Sequence, residues 1–327
     1  MVKHADPLGA ALGVLLDRLV GEPPISPHPV ALLGRALEAA ERVLYRDRRA
    51  AGVAHAASGL ALGAGAGTVV GATTIATYVA VAGRGLRDAA GAVDRALVEG
   101  DVERARSLIP ALVGRDPSAM DAKELCRAAV ESVAENTVDA VVAPALWGAL
   151  LGAPGAIGFR AVNTMDSMVG HRSPRYERYG WASARLDDVA GWLPARATAA
   201  LVAAVRPAEA RAVWRATRQD APRHPSPNAG VAEAAFAAAL GLRLGGENRY
   251  GERVEVRPSL GDGRPPERDD ISRAVRLADD VGLALAGGLA ALGALQHWSR
   301  QHRSRHHSSR QQRRSQPHDQ GHPVRRR

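Results

Sequence analysis

The chain has 327 residues, enough for one or two domains. Its only cysteine, Cys126, excludes an internal disulfide and any multi-cysteine zinc or iron–sulfur site. The net charge of +9 points to polyanions, but residues 299–327 alone hold nine arginines and one aspartate, so the body is near neutral and specific nucleic-acid binding is not expected.

At the N-terminus, Asp6 and Asp17 bracket a short apolar run with no basic region and cleavage site, so no cleaved signal peptide is expected. Residues 8–16 and 197–205 are apolar but too short to span a bilayer alone. Residues 50–83 form the first expected span, with no Asp, Glu, Lys or Arg over 34 residues, above the ~20 required. Gly59, Gly63, Gly67 and Gly71 recur every four residues in it. Each costs a helix about 1 kcal/mol relative to Ala, so the stripe predicts another helix in close approach.

Residues 121–138 read as an amphipathic helix, and Glu131, Glu135 and Asp139 share one face at i, i+4 spacing. Like charges so placed repel by a few tenths of a kcal/mol per pair, so a compensating cation is expected. The plain alternative is a solvated face paired with arginines such as Arg127. Residues 140–159 carry no formal charge and form the second expected span, interrupted by Pro144 and the Gly152-Ala153-Pro154-Gly155 turn, where it is expected to break or re-enter. Asn163 and Asp166, three apart, begin a second polar ridge beyond it.

Arg185-Leu186-Asp187-Asp188 and Pro194-Ala195-Arg196 follow as compact polar motifs beside apolar sequence. Residues 207–220 read as an amphipathic helix carrying Trp214. Ser226-Pro227 reads as a helix start leading into residues 229–242. Residues 245–251 read as a turn and 253–257 alternate like a short strand, a hairpin-like insertion near 244–257. The third expected span, 281–299, ends at Trp298, placed to mark an interface. The tail, 299–327, has no apolar period and is expected to be disordered.

These readings predict an all-α polytopic membrane protein with three to five membrane helices in one membrane-embedded domain, 1–298. The basic tail suggests a cytoplasmic C-terminus. No Gly-rich loop ending in Lys-Ser or Lys-Thr and no dinucleotide fingerprint occurs, so any ATP site is unconventional. Two other classes are weighed. An intramembrane Mg²⁺-dependent prenyltransferase needs paired Asp motifs, approached only by Asn163-x-x-Asp166 and Asp187-Asp188. A small transporter predicts internal repeats and mid-span acids, whereas these acids cluster at span ends.

Together with residues 16–23 (Leu-Asp-Arg-Leu-Val-Gly-Glu-Pro), His28-Pro29-Val30, and residues 220–230 with Glu233, the ordered motifs resemble the CobD/CbiB family of cobalamin biosynthesis over roughly residues 12–251. The resemblance implies an adenosylcobinamide-phosphate synthase, joining (R)-1-amino-2-propanol or its O-phosphate to the free carboxylate of adenosylcobyric acid with ATP and Mg²⁺. Glu22 departs from the family's usual Asp. Membrane lipid and other enzymes of the pathway are the further partners implied. On this reading Glu131, Glu135, Asp139, Asp166 and His224 are catalytic, and Asp187 and Asp188 hold the metal. Asn136, Asn163, Arg185, Arg196, Asn228 and Tyr250 bind substrate or phosphate. For His28 the alternative is a structural turn; for Asn228 and Tyr250, capping and turn packing.

Overall fold

A computed structural model of the chain describes residues 5–114, 116–171, 173–250 and 253–314, except the side chains of 249, 250, 253 and 300–314. Helices dominate, with one β-hairpin. α1 (Pro7–Val20) starts where Asp6 accepts the Gly9 N–H at 2.9 Å, an N-cap that satisfies an orphan donor. α2 (Pro29–Leu44) starts where His28 accepts the Val30 N–H at 3.3 Å, so His28 caps this helix through Nδ1.

The apolar stretch 50–83 is not one span. It divides at Gly71, whose φ of 69° ends α3 (Arg49–Val70) before the short α4 (Thr73–Ala80). Gly71 therefore leaves the predicted stripe to become a helix stop, a conformation that costs glycine little. The other three glycines work as the spacing predicts.

After α5 (Gly83–Val98), α6 (Val102–Leu108) and α7 (Ala122–Asn136), the second apolar stretch does break. α8 (Ala143–Leu151) turns at Gly152 into α9 (Ala153–Met165), and each helix has Pro in its first turn. α9 runs antiparallel to α3: Gly67 lies against Ala153, Gly63 against Ile157 and Ala161, and Gly59 against Met165.

α10 (Trp181–Val205) packs across α3, α9 and α8. α11 (Ala210–Gln219), α12 (Ala229–Leu240), strands β1 (Leu244–Tyr250) and β2 (Arg253–Leu260), and α13 (Arg268–Arg314) complete the chain. α12 starts two residues later than the Ser226-Pro227 reading: Ser226 Oγ accepts the Ala229 N–H at 3.1 Å from outside the helix. Residues 245–250, read as a turn, are strand β1. The tail boundary at 299 falls inside α13, whose backbone continues to Arg314; residues 315–327 lie outside the described residues.

Among the described residues, α3 and the 268–299 part of α13 are long and apolar enough to cross a membrane. α1 runs antiparallel to α13, with Leu8 against Gly293 and Arg18 bonded to Asp279 at 3.1 Å. Arg87 also reaches Asp279 (3.4 Å), and Arg206 reaches Asp280 (2.8 Å). These ion pairs ring α13 where its charged first turns give way to the apolar run from Val281.

Candidate active site

Asp139 and Asp166 stand at the two ends of the α8–α9 hairpin that point away from Gly152. Each lies on a π-helical turn, Thr137–Val142 entering α8 and Asp166–Gly170 leaving α9. Such turns interrupt the regular ladder and are frequent at functional sites. Gly170 leaves room for the Asp166 carboxylate, since a Cβ there would lie 1.9 Å from Asp166 Oδ1. α10 packs on both π turns and delivers Asp187 and Asp188. Asn163, on α9, donates from Nδ2 to Asp187 Oδ1 at 3.5 Å.

Glu135, Asp139, Asp166, Asp187 and Asp188 thereby act on one another. Burial, then the charges of Asp187 and Glu135, hold the Asp139 carboxyl well above the usual range. Burial, then Asp188 and Glu135, push Asp166 up to about 6. Burial, then Asp166, push Asp187 up to about 7, against the Asn163 hydrogen bond. Burial also raises Asp188, opposed by Arg185, whose guanidinium bonds it at 3.1 Å. The nearby positive charge does not offset burial and the mutual repulsion of these carboxylates.

Arg160 is the cation acting on Asp139. Its Nε donates to the Ala80 carbonyl at 2.8 Å, and Asp17 and Glu22 lie within its field. The N-terminal motif thus connects to the acid cluster through a residue the sequence reading missed. The available signal was position: Arg160 is the first charge after the uncharged run 140–159.

Glu131 does not join Glu135 and Asp139. It is 1% exposed, accepts the Gly245 N–H at 2.8 Å and lies 3.8 Å from Arg127. The shared face ends at Glu131 because the hairpin takes its carboxylate, while Glu135 and Asp139 still act on each other across the start of the π turn. With it lie His224 (3.7 Å from Glu233), Glu233, and Arg257 (3.3 Å from His224). Burial, and next among the lowering causes Arg257, keep the His224 ring below its usual pKa. Asn248, 2% exposed, pairs in register with Glu255, one alternation from Arg257, while Val254 and Val256 face outward. The hairpin therefore lays its polar face inward.

Three predicted binding side chains hold structure together. Asn136 donates to the Ser132 carbonyl at 2.9 Å. Arg196 donates to the Pro227 carbonyl and to Asn228 Oδ1, both at 3.0 Å, and stacks on Trp192. Asn228 donates to the Asp188 carbonyl at 2.9 Å, which seats the start of α12 against the acid cluster. The Tyr250 side chain lies outside the described residues.

Among the described residues, no three His, Cys, Asp or Glu side chains converge into a ready metal cage. Mg²⁺ commonly takes only one or two protein carboxylates and completes its shell with water and substrate phosphates. A proton-holding carboxylate cluster fits a cation arriving with a phosphate-bearing substrate better than a permanently caged one.

The profile of the CobD/CbiB protein family matches residues 10–278. A cobalamin biosynthesis protein CobD of Mycobacterium tuberculosis is 50% identical over 309 residues, covering 90% of this chain and 96% of its own. CobD of Geobacter metallireducens is 41% identical, covering 77% and 86%. CobD of Rhodobacter capsulatus is 44% identical, covering 69% and 72%. No solved structure matches.

Proposed function

The chain belongs to the CobD/CbiB family, and on that premise we propose that it performs the adenosylcobinamide-phosphate synthase step of cobalamin biosynthesis by ATP-dependent amide ligation in the carboxylate cluster. The observation that carries the site is the meeting of Glu135, Asp139, Asp166, Asp187 and Asp188 at the ends of the α8–α9 hairpin.

A carboxylate and an ammonium do not condense at neutral pH without activation. Transfer of the ATP γ-phosphoryl to the free carboxylate of adenosylcobyric acid yields ADP and an acyl phosphate. The amine nitrogen of aminopropanol, or of its O-phosphate, then attacks the acyl carbon and expels inorganic phosphate. Mg²⁺, when bound, neutralises phosphate charge. Asp187 and Asp188 are the residues proposed to hold it, with Glu135 and Asp139 beside them.

Asp166, at about 6, is suited to take the ammonium proton before attack, since a general base works best near the ambient pH. Arg160 acts on Asp139 of this cluster and is assigned to the transferring phosphoryl group. His224 and Glu131 are assigned to seating the hairpin. Spanning by α3 and α13, with α8–α9 re-entering between them, would place this site at one membrane surface, open to ATP.

The test is purified, detergent-solubilised protein with adenosylcobyric acid, Mg-ATP and aminopropanol phosphate, following ADP and the corrinoid product. Formation of both supports the reading. Well-folded protein that makes neither, with free or phosphorylated amine, contradicts it.

A further inference from the structure

α11 has a face that the ligase reading leaves unused. Its buried Val213 and Ala216 turn toward the protein, and α11 packs on α12 and α10. Arg211, Trp214, Arg215 and Arg218 are exposed on the outside. With Gln219 they line an open depression of about 490 Å³. Among the described residues, none of the three arginines makes an ion pair or a side-chain hydrogen bond. This differs from Arg18, Arg87 and Arg206, each paired to an acid of α13.

The position of α11 says what would meet that charge. The chain leaves α10 at Arg206, which is fastened to Asp280 at 2.8 Å, and α11 starts four residues later. Asp280 is the last charge before the apolar run of α13. Trp181, at the other end of α10, covers Arg49 at the first turn of α3. Both bilayer-length helices thus begin their apolar runs level with α10, and α11 lies at that level with its arginines outward. An amphipathic helix with an arginine face and an exposed Trp there fits lipid headgroups: Trp prefers the interface, and each Lys or Arg near an anionic leaflet contributes about 1 kcal/mol.

We propose that Arg211, Arg215 and Arg218, with Trp214, bind the headgroups of anionic phospholipids and hold the catalytic layer against the membrane on the side of the carboxylate cluster. This rests on the membrane reading above and is independent of the ligase chemistry.

The full chain in nanodiscs of mixed phosphatidylglycerol and phosphatidylcholine is compared with an R211Q/R215Q/R218Q variant, counting retained lipids by native mass spectrometry. The expected result is fewer retained phosphatidylglycerol molecules in the variant, unchanged phosphatidylcholine and unchanged thermal unfolding in detergent. Equal phosphatidylglycerol retention overturns the proposal. A raised KM for ATP with unchanged lipid retention overturns it in favour of a nucleotide surface. Recovery of wild type in the soluble fraction without detergent overturns the membrane reading and this proposal together, leaving the ligase assay unaffected.

Discussion

Asn163 Nδ2 lies 3.5 Å from Asp187 Oδ1, a contact that joins α9 to α10. Asp187 is thereby held beside Asp166 and Asp139, the acids at the two ends of the α8–α9 hairpin. Two consecutive acids on one helix do not share a direction, so Asp188 is left to meet Arg185. The cluster is built by bringing three chain segments together, and its carboxylates raise one another's pKa.

Asp187→Asn should lower turnover by about a hundredfold or more if this carboxylate serves the chemistry. The same change should stabilise the fold at high pH. An acid whose folded pKa is raised stabilises the protein below its unfolded pKa of about 4, and that contribution is lost as pH rises through about 7. Thermal unfolding should therefore show the variant above wild type in alkaline buffer and the two converging in acid. A variant less stable at every pH would assign Asp187 a structural role.

With Asp166 at about 6 and Asp187 at about 7, kcat/KM should rise with pH across that interval. Mg²⁺ competes with protons for the same oxygens, so raising Mg²⁺ should move the midpoint to lower pH. A midpoint indifferent to Mg²⁺ would place the titrating group elsewhere.

Arg160→Lys keeps a charge but loses the forked donor, and Arg160→Gln loses both. Both variants should cut kcat, Gln more severely, and Gln should raise the apparent pKa of the cluster by removing the cation that acts on Asp139. A pH–rate profile of Arg160→Gln superposable on wild type would contradict this.

Along α3, space decides the sign of substitution. A Cβ at Gly67 would lie 2.4 Å from the Ala153 carbonyl oxygen, whereas one at Gly65 meets nothing within 4 Å. Gly67→Ala should destabilise by about 1–3 kcal/mol through overpacking, while Gly65→Ala should be neutral or gain up to about 1 kcal/mol from helix propensity. Unfolding midpoints in detergent read both.

The α3–α9 approach was legible because glycine at every fourth position has a physical cost that only a close neighbour offsets. The break at Gly152 was legible from its flanking prolines. Gly71 was misread because a helix stop and a stripe member look alike in one sequence. The hairpin's first strand was hidden by its composition: Gly245-Gly246-Glu247-Asn248-Arg249 reads as a turn, and its inward side chain is the polar Asn248, 2% exposed. Among the candidate site residues, Glu135, Asp139, Asn163, Asp166, Asp187 and Asp188 do come together. Glu131 parts from them because the Gly245 N–H and Arg127 hold its carboxylate, a tertiary contact that helical spacing does not reveal. Asn136, Arg196 and Asn228 had the right residue types for binding but are held by partners that only the tertiary fold reveals.

The most direct measurement is a titration of Mn²⁺, standing in for Mg²⁺, into protein with ATP, monitored by electron paramagnetic resonance, in wild type, Asp187→Asn and Asp188→Asn, with Arg257→Ala as the hairpin control. The account predicts tight Mn²⁺ binding in wild type and Arg257→Ala and its loss in both aspartate variants. Unchanged binding in the two aspartate variants would contradict the claim that the carboxylate cluster is where the nucleotide's cation is held.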